Sequence, residues 1–487
     1  MGARMTLAES ARPDTATRPA DPRRLAALIL LCAANFMVIL DSQTVIMGVP
    51  VIAADLGLSP VEAQWILSGN LLTFGGLLLL GGRAADLLGR RKLFMIGTAL
   101  FLLVSLLSAL ATAGPLLLAA RALHGISAAL MAPTALAILT DTFPEGRERN
   151  RAFAAWSGIA ALGATIGLLL GGALLDWFGW QSLFYVNVPV AALMLALSPV
   201  LLRESRDPSA HRTFDVTGAV LTTAALGLLV YVLVEAPTWG WTSSRTLGLT
   251  AVFLVLVAAT VVVERRSAAP LLPARLFRSA TVVGGNVLTA LMAMLAYGLS
   301  VVLSQYALGV LGYTPIVFGL SQSAMPIVAV IGAYAGQAAL ARRGLRPVAV
   351  TALLLMAVGS FLLTGLSPEA GYLTTVLPGL VVFGLGLGIG PVVLASAALN
   401  GVTSSDAGIA SGINVAAFQV GGALGVAVVS TIIAVNSAAT PGPAGALDGF
   451  HAGMYACGGI GAVGVLVALS LLKNARRGKL AAVPRVH

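Results

Sequence analysis

The stretch GGRAADLLGRRKLF (residues 81–94) places four cationic side chains and one acid between two long apolar segments. Charged residues make up only 10% of the 487-residue chain, and 58% of it is hydrophobic. A water-soluble domain is usually about 25% charged, so this chain has too little polar surface to cover such a body. The charged stretch is therefore expected to be a turn between membrane-spanning segments.

Apolar runs of roughly 20 residues recur along the whole sequence, and each is long enough to cross a bilayer as a helix. They are too long and too uniformly apolar for the alternating strands of a membrane barrel, so an all-α polytopic membrane protein is predicted. Fourteen runs are distinguished: 25–49, 61–82, 93–110, 115–140, 153–175, 183–202, 215–235, 247–264, 281–304, 316–341, 347–366, 372–399, 411–435 and 452–472.

Lysine and arginine lie almost entirely in alternate connections between these runs. If the N-terminus is cytoplasmic, all but two of the 29 cations fall in inner loops or tails, as the positive-inside rule requires. We therefore expect both tails, 1–24 and 474–487, in the cytoplasm. The net charge of +10 follows from this topology and from contact with the lipid bilayer, so no nucleic-acid partner is expected.

A weak internal repeat relates the two ends of the chain. The stretch GQAALARRGLRPV (336–348) resembles GGRAADLLGRRKL (81–93) when Gly336 is aligned with Gly82, and the same offset of 254 residues (336−82) relates two glycine-rich runs, 163–172 and 417–426. The sequence thus predicts a six-helix bundle at 25–202, a two-helix insertion with its loops at 203–280, and a second six-helix bundle at 281–473. In transporters built from such repeats, the substrate site lies between the two halves.

The opening stretch resembles the loop between helices 2 and 3 of the major facilitator superfamily, written G-x-L-a-D-r-x-G-R-[KR]. The matching residues are Gly82, Asp86, Gly89, Arg90 and Arg91. Glycine permits a tight turn and close helix approach. The acid is expected to pair with cations or with a helix N-terminus across the interface between the halves. The resemblance therefore implies a conformational latch, and the alternative is a basic loop that only fixes topology.

Two further stretches place ionisable side chains inside apolar runs, where they are costly and usually functional. RALHG (121–125) is similar to the superfamily's R-x-x-Q-G, with His124 in place of glutamine, and ILDSQTVIMGVP (39–50) is similar to L-D-x-T-[IV]-V-N-V-A-L-P. Asp41 is expected to carry protons or to contact a cationic substrate, and the alternative is permanent pairing with Arg121. Arg121 is expected to organise a polar cavity, and His124, on the same helix face, to titrate or to be a structural core histidine.

The run GATIGLLLGG (163–172) resembles the antiporter signature G-x-x-x-G-P-x-x-G-G of the fourteen-helix drug/proton antiporter branch. Gly163, Gly167, Gly171 and Gly172 match, and Leu168 replaces the proline. Small residues at this spacing allow close helix packing. The glycines are therefore expected either to mark the antiporter motif or simply to pack helices together.

The family resemblance implies a secondary transporter of the bacterial cytoplasmic membrane that exports small drug-like compounds, including cationic or amphipathic ones, in exchange for protons. An uptake permease of the same fold, coupled to protons by symport, is the alternative, because fold does not fix direction. No phosphate-binding loop, nucleophile–base constellation or metal-ligand spacing is found in the sequence, so we expect neither an enzyme nor ATP-driven transport, and no cofactor or metal.

Overall fold

The structure is a computed structural model that describes residues 22–143, 146–206, 216–267, 275–365, 367, 371–403, 406–439 and 443–472. These ranges are almost entirely helical and contain no β-strand. Most of the two predicted tails, 1–24 and 474–487, lies outside the described residues. The orientation in the membrane stays a prediction, and "inner" and "outer" below refer to it.

Fourteen helical segments match the fourteen apolar runs in order. Thirteen are long and apolar enough to span a membrane, and in the remaining one the apolar part is Leu162–Phe178. The segments are α1 (Pro22–Asp55), α2 (Pro60–Leu88), α3 (Arg90–Ala109), α4 (Gly114–Thr142), α5 (Arg147–Phe178), α6 (Ser182–Leu201), α7 (Val216–Trp239), α8 (Ser244–Arg266), α9 (Ala280–Gly309), α10 (Pro315–Arg343), α11 (Leu345–Leu362), α12 (Leu377–Ala398), α13 (Ala407–Ala439) and α14 (Pro443–Leu471).

The ends of α2 show how the sequence sets these boundaries. Ser59 and Glu62 form a capping box in which the Ser59 hydroxyl accepts from the Glu62 amide, and Glu62 accepts from the Ser59 amide at 2.9 Å. Pro60 occupies the first turn, where its missing N–H costs nothing. At the other end Gly89 has φ +112°, a conformation that L side chains rarely adopt, and it separates α2 from α3.

Helix packing in the first six helices is repeated in the last six. The pairs α1–α5, α2–α4, α3–α4 and α3–α6 have counterparts in α9–α13, α10–α12, α11–α12 and α11–α14, each shifted by eight helices. The two groups are called here the N-terminal half (α1–α6) and the C-terminal half (α9–α14). The residue boundaries predicted for these units stay predictions.

The halves meet along two seams. At the first seam α2 runs antiparallel to α13, and a Cβ built on Gly75 would lie 2.9 Å from the Cβ of Gln419. At the second seam the outer end of α5 meets the start of α10, where a Cβ on Gly172 would lie 2.5 Å from the carbonyl oxygen of Pro315. Glycine at these positions lets the helix backbones approach closely.

Helix α7 of the insertion lies against the first seam and contacts both halves. Val230 and Val234 of α7 form one apolar cluster with Leu71 of α2 and Ala423 of α13. A Cβ on Gly76 of α2 would overlap the hydroxyl of Thr223, so α7 and α2 are in close contact. The insertion therefore packs against both halves as well as connecting them in sequence.

Candidate functional site

A buried charge cluster lies inside the N-terminal half, between α1, α3, α4 and α6. It contains the three ionisable residues that the sequence singled out, Asp41, Arg121 and His124, which are only 1–2% exposed. The carboxylate of Asp41 accepts from Arg121 Nη1 at 2.8 Å, and Asn187 Nδ2 donates to its second oxygen at 3.0 Å. His124 Nε2 lies 3.8 Å from the same oxygen.

Arg121 is held from several directions. Its Nε donates to the backbone carbonyl of Ile66 at 3.1 Å, and its guanidinium carbon lies 5.8 Å from the centre of the Phe184 ring. Nη1 also lies 3.2 Å from His124 Nδ1. Removing a single partner from a buried pair leaves an uncompensated charge, so this arrangement stabilises the fold only while it is complete.

The tautomer of His124 follows from these contacts. A guanidinium has no acceptor, so Nδ1 must accept from Arg121 and the ring proton lies on Nε2. That nitrogen is 3.2 Å from the hydroxyl of Ser105, and the ring packs edge-on against Phe101 at 4.7 Å. A second ring proton would face the guanidinium, so the geometry favours a neutral imidazole.

The cluster separates the Asp41 carboxylate from the interface between the halves in this structure. Both carboxylate oxygens are occupied by donors from Arg121 and Asn187, and the side chain has no open face toward the seams. A cationic substrate therefore does not reach Asp41 in the conformation described. The pairing with Arg121 that the sequence left as an alternative is present here.

Asn187 and Ser105 belong to this cluster although sequence reasoning gave neither a site role. Asn187 lies in FYVNVP (184–189) at the start of α6. Its amide oxygen is buried and has no hydrogen-bond partner among the described residues. Its position next to an intramembrane acid could not be read from spacing, because α1 and α6 are far apart in the chain.

The predicted latch forms a compact polar network at the inner ends of α2, α3, α4 and α6. Asp86 pairs with Arg90 at 2.7 Å, and Arg90 also pairs with Asp141 at the end of α4. The hydroxyl of Ser205 donates to Asp141 at 2.8 Å. Sequence reasoning missed Asp141 and Ser205, and the only signal for Asp141 was an acid at a predicted inner helix end.

Glu204, after α6, caps the N-terminus of α3. It accepts from the backbone amides of Arg91 and Lys92 at 3.1 and 3.2 Å, where a carboxylate is favoured by the helix dipole. A Cβ on Gly89 would lie 2.7 Å from the Glu204 carboxylate, so a larger residue would disturb this cap as well as the turn. Gly82, by contrast, makes only an ordinary contact with Pro133.

The latch contacts seen among the described residues all lie within the N-terminal half and the segment that follows α6. Asp86 has the cationic partner that was expected, but that partner is Arg90 of the same half. The pairing of Asp86 across the interface between the halves is not present in this arrangement. The latch role stays a prediction.

The four glycines of the α5 motif contact two neighbouring helices, α1 and α10. A Cβ on Gly163, Gly167 or Gly171 would meet α1, at distances of 3.3, 2.8 and 2.9 Å from Phe36, Gln43 and Thr44. Gly172 instead faces Pro315 and Ile316 of α10 in the other half. The motif therefore packs α5 against α1 and, at its outer end, against the C-terminal half.

Leu168, where the signature has proline, lies at the same outer contact. It is 6% exposed, and its carbonyl oxygen lies 2.6 Å from a Cβ built on Gly319 of α10. Asp176, two turns further out on α5, accepts from the Ile316 amide at 3.2 Å at the start of α10. The outer end of the second seam is thus closed by backbone contacts and one charge-assisted hydrogen bond.

Comparison with known proteins identifies the family. The model of the Major Facilitator Superfamily matches residues 31–284. The chain is 37% identical over 406 residues to the puromycin resistance protein pur8 of Streptomyces alboniger, covering 83% of this chain and 80% of that protein. It is 36% identical over 405 residues to the cephamycin export protein CmcT of Amycolatopsis lactamdurans, covering 82% of each.

Solved structures show the same fold at low sequence identity. A bacterial homolog of the human lysosomal transporter Spinster, in an inward-facing and unoccupied conformation, superposes with a TM-score of 0.67 at 16% identity, covering 94% of this chain and 99% of the other. A peptide transporter POT gives 0.66 at 18% identity, covering 91% and 93%. The chain is thus a polytopic membrane transporter, and it belongs to the Major Facilitator Superfamily. Its curated relatives include drug and antibiotic resistance and export proteins.

Proposed function

We propose that this protein exports small organic compounds, including antibiotics, in exchange for protons. Export is supported by the names of its relatives, among them the puromycin resistance protein and the cephamycin export protein. The observation that carries the coupling to protons is the buried cluster: Asp41, Arg121 and Asn187 form a sealed ionisable site inside the membrane-spanning region.

The coupling step follows from the chemistry of this cluster. Protonation of Asp41 removes its charge and weakens the 2.8 Å contact with Arg121, while the Nε contact with Ile66 keeps the guanidinium attached to α2. The Asn187 amide nitrogen donates to the carboxylate in this structure, and its amide oxygen has no hydrogen-bond partner in the described part of the chain. A rotation of that amide lets it accept from a protonated Asp41. The cluster then has a hydrogen-bonded arrangement for each protonation state.

The conformational step concerns the outer end of the second seam. The contacts of Gly172 and Asp176 with α10 hold the halves together at that end, which corresponds to a state closed toward the outside. Export requires these contacts to separate while the inner ends approach. We propose that the proton on Asp41 biases this exchange, because the cluster joins α1 and α4 to α2 and α6.

Proteoliposomes with an imposed pH gradient and an internal pH-sensitive dye test the proposal. Puromycin added to the wild type should trigger proton movement, and Asp41→Asn should reduce its rate at least tenfold because the variant carries no exchangeable charge. Glu235→Gln, which changes an acid on α7 outside both halves, is the matched control and should retain the wild-type rate. Size-exclusion chromatography verifies that both variants are folded.

Full puromycin-driven proton movement in Asp41→Asn would contradict the coupling role. Orientation is read in the same vesicles. Puromycin accumulating with the protons instead of against them would contradict export and would indicate an uptake permease.

A further inference from the structure

A groove lies between α3 and α6 at the periphery of the N-terminal half. Its volume is about 430 Å³, and its walls come from the first three turns of α3, from α6 and from the segment after α6. In the described chain α3 packs chiefly against α2, α4 and α6, so the groove lies away from both seams between the halves. Ile96 on its wall is apolar yet 46% exposed, which in a spanning helix indicates contact with lipid.

The inner end of the groove is cationic. Arg91 and Lys92, in the first turn of α3, line it together with Glu204. Lys92 is exposed, and its ammonium makes no hydrogen bond or ion pair with a described residue. Arg91 Nη1 lies 3.4 and 3.5 Å from the carbonyl oxygens of Pro199 and Leu202, and Nη2 takes part in neither contact. Both cations therefore retain donors for a further acceptor.

Glu204 does not cancel this positive charge. Its two oxygens accept from the backbone amides of Arg91 and Lys92, and one of them lies 3.9 Å from Arg91 Nε. The carboxylate is thus bound at the N-terminus of α3, where the helix dipole offsets its charge. The first turn of α3 and Glu204 together still carry one cation in excess.

The segment after α6 brings further cations to the same end. The Arg90 amide donates to the carbonyl of Ser205 at 3.0 Å, so this segment lies across the first turn of α3. Arg203 and Arg206 are exposed and make no ion pair with a described residue. Residues 91–92 and 203–206 together contain four cations and one acid. In the predicted orientation they lie at the level of the inner-leaflet phosphates, where cations attract anionic lipid.

The rest of the groove is apolar. Met95, Ile96 and Ala99 of α3 line it together with Leu195 of α6. From Lys92 to Ala99 this wall extends about 10 Å along the helix axis. The hydrocarbon core of a bilayer is about 30 Å thick, so the apolar wall covers most of the depth of one leaflet. The groove therefore matches a ligand with an anionic head and an apolar chain.

Two other occupants match the groove less well. A water-soluble phosphate would pair with the cations but leave the apolar wall uncovered. A zwitterionic phospholipid would cover the apolar wall, but its ammonium or choline group would lie among the excess cations. Charge complementarity therefore favours a phospholipid with a net negative charge.

We infer that the α3–α6 groove binds one anionic phospholipid of the inner leaflet, with its phosphate at Arg91 and Lys92 and an acyl chain along Met95, Ile96 and Ala99. The site does not depend on the direction of transport or on its coupling to protons. The bound headgroup lies beside the turn that carries the predicted latch, so the composition of the inner leaflet acts at that turn.

Native mass spectrometry of the purified full-length protein, released from a neutral detergent, tests the site by counting bound lipids. Dioleoyl phosphatidylglycerol is the anionic probe, and dioleoyl phosphatidylcholine and phosphatidylethanolamine are zwitterionic probes with the same chains. The first phosphatidylglycerol should bind about tenfold more tightly than either zwitterionic lipid. Glycerol phosphate, which carries the charge without chains, should bind about tenfold more weakly than phosphatidylglycerol.

Removing one cation tests the polar end of the groove. Lys92→Gln should weaken binding of the first phosphatidylglycerol about fivefold, because it removes one cation at the membrane surface. Arg265→Gln is the matched control, since Arg265 is an exposed cation in the last turn of α8, at the same predicted level of the membrane. It should bind phosphatidylglycerol as the wild type does.

A second pair of variants tests the apolar wall. Ala99→Phe should fill the groove and weaken phosphatidylglycerol binding about fivefold, because the acyl chain loses its buried contact. Leu103→Phe is the control, one turn further along α3, where Leu103 is 63% exposed and lies outside the groove. Each variant is used only if its thermal unfolding midpoint is close to that of the wild type. If Ala99→Phe fails to fold, Lys92→Gln carries the test.

Equal binding of anionic and zwitterionic lipids would overturn the assignment, as would binding of glycerol phosphate as tight as that of the lipid. Equal losses in Lys92→Gln and Arg265→Gln would show general attraction to a basic surface and no groove site. Wild-type binding in a folded Ala99→Phe variant would place the lipid elsewhere. Selective lipid binding by a protein that exchanges no protons in proteoliposomes would refute the antiport proposal alone.

Discussion

The two halves of this transporter share a helix-packing scheme but differ in chemistry. The N-terminal half encloses a charged cluster around Asp41 and Arg121, while the C-terminal half confines its charges to helix ends and packs its helices through glycine. The two halves related by the internal repeat therefore share a helix arrangement but differ in the polarity of their buried side chains. In this protein, the buried ion pair lies in the N-terminal half, and the described helices of the C-terminal half carry their Asp, Glu, Lys and Arg residues near helix ends.

The largest expected effect comes from breaking the charged cluster. Arg121→Leu leaves the Asp41 carboxylate buried without its counter-charge, and loss of one partner from a buried pair costs about 3–5 kcal/mol. Unfolding of the purified protein in detergent should show this loss. The double variant Asp41→Asn/Arg121→Leu should recover part of it, because no unpaired charge is left.

Arg343→Leu provides the control for that comparison, since Arg343 is exposed in the last turn of α10. Its unfolding free energy should stay close to that of the wild type. Equal losses for Arg121→Leu and Arg343→Leu would show that the buried pair is not what distinguishes the N-terminal half.

The next effect tests the glycine packing of the C-terminal half. A Cβ at Gly388 of α12 would overlap the backbone carbonyl of Ala329 in α10, so Gly388→Ala should destabilise the protein by about 1–3 kcal/mol. Gly459→Ala on α14 is the matched control, because a Cβ there meets nothing within 4 Å. Denaturant unfolding of both variants measures the difference, and similar values for the two would refute the packing argument.

A smaller effect is expected where the halves meet. Gly172→Ala would place a Cβ 2.5 Å from the Pro315 carbonyl and should push the outer ends of α5 and α10 apart. Because the halves can separate there, we expect a shift of about tenfold, or about 1.4 kcal/mol, in the ratio of outer-open to outer-closed protein. Thiol labelling from outside at Met47→Cys reports this ratio, since the native Cys32 and Cys457 are buried.

Gly163→Ala is the comparison variant, because its Cβ would lie 3.3 Å from Phe36 within the N-terminal half. Labelling in that background should match the wild type. More labelling with Gly163→Ala than with Gly172→Ala would place the sensitive contact inside the half and not between the halves.

The smallest effect concerns an ion pair outside the spanning helices. Arg275, after α8, donates to both oxygens of Asp406 at 2.7 and 2.8 Å, and this hydrogen bonding lowers the pKa of the Asp406 carboxyl. A carboxyl with a lowered pKa stabilises the fold above its ordinary pKa. That contribution is lost as the pH falls through the lowered value.

Asp406→Asn should therefore lower the thermal midpoint slightly at pH 7, and the difference from the wild type should shrink below about pH 4. The effect should be small because Arg275 is largely exposed and exposed pairs contribute little. A difference that grows toward low pH would reverse the sign of this argument.

The sequence predicted the fourteen spans and singled out Asp41, Arg121 and His124, because hydropathy and intramembrane charge are local signals. It offered the pairing of Asp41 with Arg121 only as an alternative. It did not predict Asn187 as part of that cluster. The sequence does not show whether the hydrogen-bonding groups of an Asn or Gln side chain are satisfied in the fold. That difference depends on neighbouring helices, which no spacing reveals.

The latch shows a similar limit. The residues from Gly82 to Arg91 pointed to the correct turn, with Gly89 at a positive φ. Their partners Asp141 and Glu204 lie in separate connections, and only the folded bundle brings them together. The local motif thus identified the turn that carries the network. Its partners Asp141 and Glu204 became apparent only in the folded structure.

The position of α7 makes the two flanks of the transporter unequal. By the internal repeat, the α2–α13 seam and the α5–α10 seam are equivalent, but α7 covers the first with Val230, Val234 and Thr223. The α2–α13 seam is therefore covered by an insertion helix. No insertion helix packs along the described part of α5 and α10 at the other seam. Changes in bilayer thickness or lipid composition therefore act directly on the α5–α10 seam, whereas α7 lies between the lipid and the α2–α13 seam. The membrane thus acts unequally on two seams that the internal repeat makes equivalent.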